Sequence, residues 1–184
     1  MSDILTDSGQ KKYTADEFFS MKSEKNEKCE LYDGKIMSQA MPSLEHQIIG
    51  AELYSIFRDF IKNKNGKCKA LPPIDVKLDD YNTVVPDFLL VCDTSKLDSR
   101  RCYGAPDFVA EILSSNSEND LITKLALYKK YGVREYWIIS PKHRKTLVYF
   151  FEESSFPEIY PFEKPVPVNI YGGELEINIS EINN

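Results

Sequence analysis

Two apolar runs constrain this chain most: Val84-Val85-Pro86-Asp87-Phe88-Leu89-Leu90-Val91 and Asp107-Phe108-Val109-Ala110-Glu111-Ile112-Leu113. Each reads as a strand covered on both faces, yet each carries a carboxylate, Asp87 and Glu111, where apolar side chains belong. An unpaired carboxylate there is costly, so both need a cation, hydrogen-bond donors or a shifted pKa. The fold must bring polar partners into its own interior.

With 184 residues and no composition break, the chain predicts one domain over residues 13–184, preceded by a flexible arm over residues 1–12. The apolar fraction of 42% and charged fraction of 28% exclude disorder and fibrous repeats. A net charge of −6 argues against a general nucleic-acid-coating protein, since phosphate neutralisation drives such binding. It leaves room for a nuclease whose acids form a metal site. No basic-then-apolar leader and no bilayer-length apolar run occur, so a cytoplasmic protein without membrane contact is expected. Cys29, Cys68, Cys92 and Cys102 lack any Cys-x-x-Cys pairing, and free thiols are the expectation for that compartment.

Thr14-Ala-Asp-Glu17 reads as a capping box opening a short helix, and Asp33-Gly34 as the turn of a hairpin. Ser43 caps a long helix in which Leu44, Ile48, Leu53, Ile56, Phe57 and Phe60 recur at helical spacing. Strands are predicted over 67–71, 74–78, 87–92 and 108–113. A helix from the N-cap Asp120 to Tyr131 follows, ended by Gly132, and then strands over 134–140 and 146–151. After Pro157 only short strand signals remain. That order predicts an α/β (α+β) architecture, a mixed sheet flanked by helices. The Tyr136-Trp137 pair reads as core or subunit interface.

On a strand, Asp107 and Glu111 share a face but stand roughly 13 Å apart, too far to hold one metal ion. Asp107 is therefore a strand-entry residue, and Asp87 the better companion for Glu111. Lys124 adds independent support: a helical wheel places it among Leu121, Leu127, Tyr128 and Tyr131, with Lys129 and Lys130 on the far side. An ammonium facing both acids could orient an attacking water and offset charge on a phosphate. Snorkelling to water is its bland alternative, as strand capping is for Asp87 and a buried ion pair for Glu111.

The segments Glu30-Leu-Tyr-Asp-Gly34, Ser43-Leu-Glu-His-Gln47, Val85-Pro-Asp-Phe-Leu-Leu-Val91, Gly104 to Ser114 and Asp120 to Ile138 together resemble, in order, the Uma-two family of putative restriction endonucleases. The resemblance implies a restriction-endonuclease-like fold of the PD-(D/E)XK superfamily, a Mg²⁺ cofactor with Mn²⁺ as substitute, DNA as substrate and a homodimer. It implies Asp87 and Glu111 as the two acids and metal ligands, with the Ile112 backbone carbonyl completing the shell. The superfamily's Glu-x-Lys lysine is replaced by Leu113, and the resemblance gives that role to Lys124 on the neighbouring helix. Glu30 is implied as a further acid and His46 as an accessory residue, while Tyr128, one turn beyond Lys124, is expected to help position that lysine. Glu30 could otherwise be a plain hairpin residue, and His46 a capping one. Two rivals stay open: a nuclease fold kept as a non-catalytic binding or dimerisation module, and a carboxylate-pair hydrolase acting on sugars.

Overall fold

The computed structural model of the chain describes residues 11–25, 29–114, 118–154 and 156–182, so most of the expected N-terminal arm lies outside the described residues. Helix α1 (Ala15–Lys25) opens on the anticipated capping box: Thr14 N donates to Glu17 Oε2 at 2.8 Å, and Glu17 N donates to Thr14 Oγ1 at 3.3 Å. Strands β1 (Cys29–Tyr32) and β2 (Lys35–Ser38) pair antiparallel around Asp33 and Gly34, at φ 45° and 77°. Gly34 is also sterically fixed, because a Cβ there would sit 2.9 Å from Lys12 Cβ.

Helix α2 (Leu44–Asn63) is capped by Ser43, whose Oγ accepts from His46 N at 3.2 Å. Its buried face is Ile49, Leu53, Phe57 and Ile61. The expected stripe is corrected here: Leu44 is 76% exposed and Ile48 is 39% exposed. With apolar residues on both sides of the true seam, periodicity cannot say which edge of the stripe the sheet covers.

The strands β3 (Lys69–Leu71), β4 (Asp75–Lys77), β5 (Thr83–Val84), β6 (Phe88–Val91), β7 (Arg101–Tyr103) and β8 (Phe108–Ile112) follow. Helix α3 (Glu118–Tyr131) begins before Asp120, which is therefore inside the helix and not its N-cap. Strands β9 (Glu135–Ser140), β10 (Lys145–Phe150), β11 (Glu158–Pro161), β12 (Val166–Pro167) and β13 (Glu176–Ile177) and the short α4 (Ile179–Ile182) complete the chain.

The strands form two mixed sheets where one was expected, ordered β2-β1-β5-β4-β7 and β11-β10-β9-β8-β6-β3, with β12-β13 apart. Pairs β4/β7 and β8/β9 are parallel. Alternation along β6 and β8 divides the interior. Phe88, Leu90, Phe108, Ala110 and Ile112 pack against α2 and the C-terminal segment. Leu89, Val91 and Val109 pack against Val76 and Val84 of the other sheet and Tyr128 of α3. Helix α1 covers the outer face of the five-stranded sheet by packing Phe18 and Phe19 on Leu31 of β1. Tyr136 and Trp137 are both core residues.

The free-thiol expectation is corrected for two of the four cysteines: Cys68 and Cys92 form a disulfide, whereas Cys29 and Cys102 are free and buried. The β3/β6 register pairs Lys69 with Val91, so the cysteines one step beyond lie opposite one another.

Candidate active site

The antiparallel β6/β8 register pairs Phe88 with Ala110, and continuing it by one residue sets Asp87 opposite Glu111. Opposed residues send their side chains to the same face, about 5 Å apart at Cβ. That face looks toward the five-stranded sheet and α3. On β1, Cys29 and Leu31 point to α1, so strand alternation turns Glu30 the other way, toward Glu111. Lys124 enters from α3 between them.

The tips of Lys124, Glu111 and Glu30 meet. Lys124 Nζ lies 3.1 Å from Glu111 Oε1 and Oε2 and 3.2 Å from Glu30 Oε1. Glu30 is fully buried and also accepts from Val85 N, Tyr32 OH and Gln39 Nε2. Tyr128 OH donates to Glu111 Oε1 at 2.7 Å, so it holds the acid and not, as expected, the lysine. Asp87 Oδ2 accepts from Ile112 N at 2.8 Å and lies 2.9 Å from His46 Nε2. The Ile112 group in contact with Asp87 is thus its N–H. Asp87 Oδ1 has no hydrogen bond among the described residues, and the Asp87 side chain is 20% exposed.

Burial pushes the Glu111 carboxyl up to about 8; Lys124 opposes this, while Asp87 and Glu30 add to it. Tyr128, buried beside Glu111, is raised well above a free phenol, first by burial and then by the Glu111 charge. Glu111 and Glu30 thus meet at one ammonium with Asp87 alongside, and a divalent cation there would favour the ionised form of Glu111 that burial opposes. No three His, Cys, Asp or Glu side chains form a ready-made metal cage among the described residues. The donor set fits a sparse site, in which Asp87, Glu111 and waters would share an oxygen-loving ion such as Mg²⁺.

Access runs through the Asp87 and His46 side, because Glu30, Glu111 and Lys124 are nearly buried. Two cavities in the molecule, one lined by Arg134 and Glu135 and one beside α1, do not include this cluster. Asp107 stays outside it, as anticipated: its Oδ2 accepts from Cys92 N at 2.8 Å, and its Oδ1 is 3.8 Å from Arg134. Sequence reasoning missed Gln39 and the Val85 N–H. Both come from loops whose proximity to Glu30 has no local signal.

Mixed sheets flanked by helices, with acids opposed across the central strands, define an α+β fold. The chain belongs to the Uma2 family, described as putative restriction endonuclease, whose pattern matches residues 15–180. It is similar to the crystal structure of a putative nuclease belonging to DUF820 from Anabaena variabilis ATCC 29413, with TM-score 0.77 and 24% identity. The match covers 92% of this chain and 96% of that one and speaks for the fold. No curated protein matches the chain. Among the described residues no helix is long and apolar enough to cross a membrane.

Proposed function

We propose that this chain is a Mg²⁺-dependent endonuclease hydrolysing DNA phosphodiester bonds. The observation that carries the reading is the convergence of Asp87, Glu111, Glu30 and Lys124 from four separate segments in a chain of the Uma2 family. Asp87 and Glu111 are the residues that would hold Mg²⁺, or Mn²⁺ in its place, with the Ile112 carbonyl as a further donor. The ion supplies Lewis acidity at the phosphate and a more acidic water. Among the described residues Asp87 keeps Oδ1 free, because Ile112 N and His46 engage Oδ2. Glu30 clamps Lys124 against Glu111, and the ammonium lies where it can steady the attacking water and offset developing charge. Cleavage of both strands would be served by two copies of the site, so the active species in this reading is a homodimer.

Relaxation and linearisation of a supercoiled plasmid in Mg²⁺ or Mn²⁺, against EDTA, tests the reading. Asp87→Asn and Glu111→Gln each abolish cleavage while leaving the fold intact by circular dichroism. Wild-type cleavage that persists in EDTA, or in both variants, ends the proposal. Near-complete burial of Glu30, Glu111 and Lys124 favours one rival, a non-catalytic binding module. That rival predicts weak Mg²⁺ binding by calorimetry, unchanged in Glu111→Gln.

A further inference from the structure

The five-stranded sheet has a second concentration of charge, on the face opposite Glu30. Along β7, Cys102 packs between the sheets, so Arg101 projects outward toward α1, where its guanidinium carbon stacks 3.5 Å from the centre of the Phe19 ring. Phe19, Lys22, Asp75, Arg100 and Arg101 line an open cavity of about 360 Å³ there. Lys22 Nζ is 2.5 Å from Asp75 Oδ1 and donates to Cys29 O at 3.2 Å, which fixes its head at the cavity wall.

Among the described residues, neither arginine's guanidinium has such a partner. The Arg101 Nε is buried without a hydrogen-bond acceptor among those residues, which is unfavourable when nothing fills the space. The nearby Asp98 carboxylate is already spent: Oδ1 accepts from Arg100 N and Arg101 N at 2.6 and 2.7 Å, and Oδ2 from Tyr103 OH at 2.9 Å. Those bonds hold the two arginines side by side at the turn into β7. Among the described residues, Lys22, Arg100 and Arg101 thus outnumber the carboxylates Asp75 and Asp98 around a hollow of ligand size. Guanidinium forks match the oxygens of a phosphate, and stacking on Phe19 pre-orders one of them.

We propose that this cavity binds a phosphate ester through Arg100, Arg101 and Lys22. Its source is either a free nucleotide or the phosphorylated end of a nucleic-acid strand. The proposal does not depend on the nuclease reading, because the two sites occupy opposite faces of one sheet.

The test is titration calorimetry in metal-free Tris buffer, where the acidic cluster repels anions. Inorganic phosphate and thymidine 5′-monophosphate bind, and thymidine does not. Arg100→Glu, at an exposed position, weakens nucleotide binding by about tenfold or more without shifting the thermal midpoint. Arg101→Gln does the same if α1 stays packed, which circular dichroism reports. A 5′-phosphorylated oligothymidylate that binds more tightly than both the mononucleotide and its unphosphorylated twin identifies a strand end; equal or weaker binding identifies a free nucleotide. Thymidine binding as tightly as its monophosphate, no binding of either phosphate probe, or wild-type affinity in Arg100→Glu overturns the proposal.

Discussion

Replacing Lys124 by Met isolates the electrostatics of the buried cluster from any turnover. The ammonium lies 3.1 Å from both oxygens of Glu111 and 3.2 Å from Glu30, with its side chain 5% exposed. Methionine keeps the bulk and removes the charge, leaving Glu30 and Glu111 to share one buried site without a cation. Removing one partner of a buried pair costs about 3–5 kcal/mol, and that loss is the expectation near neutral pH. The penalty also depends on pH. In the wild type Glu111 is raised from 4.5 to about 8, so its folded form binds the proton that its unfolded form has released, and stability falls as pH rises across that window. Above about 8 the wild-type contribution levels off. Without Lys124 the folded carboxyl titrates higher still, so the variant goes on losing about 1.4 kcal/mol per pH unit. Urea unfolding in EDTA at several pH values between 6 and 9.5, followed by fluorescence of the single, buried Trp137, measures both effects. Adding Glu111→Gln to the variant removes the extra slope. A penalty under about 1 kcal/mol, or one that stays constant from pH 7 to 9.5, refutes the reasoning.

Three further outcomes follow from the same geometry. Glu135 accepts from Trp137 Nε1 and Ile170 N, and burial raises it from 4.5 to about 7, outweighing those bonds. Stability therefore falls by about 3 kcal/mol between pH 4.5 and 7 on this account, and Glu135→Gln flattens that part of the urea-midpoint profile. Cys68→Ser opens a crosslink of sequence separation 24 and costs about 3 kcal/mol by chain entropy; an unchanged thermal midpoint would count against the bond. His46→Ala frees Asp87 Oδ2 of its imidazole and weakens Mn²⁺ binding by about 10- to 100-fold, read by paramagnetic titration. Full-strength binding in that variant removes His46 from the site.

The parts of this architecture legible in the chain were those with a local physical signature. Asp87 and Glu111 stood out because each interrupts an apolar run, and Lys124 because it breaks a helix's apolar stripe. Thr14 with Glu17 and Asp33 with Gly34 announced themselves through capping and turn chemistry, and both formed. What was hidden depends on contacts remote in sequence. Leu44 and Ile48 look as suited to burial as Ile49, and only the docking angle of α2 on the sheet separates them. Cys68 and Cys92 become neighbours through the β3/β6 register, which spacing does not encode. Gln39 and the Val85 N–H reach Glu30 through loops, and the fold divides into two sheets where a single one accounted for the strand order. Phe162, Val166, Ile177 and Ile179 seal the α2 side of the core from a segment with only short strand signals.

The acidic cluster takes one member from the first hairpin, two from the middle strands and its ammonium from the last long helix. No fragment that stops before α3 can assemble it. During synthesis the acids would wait without their ammonium until most of the chain had left the ribosome, so the last partner to arrive is the one that makes burying them tolerable.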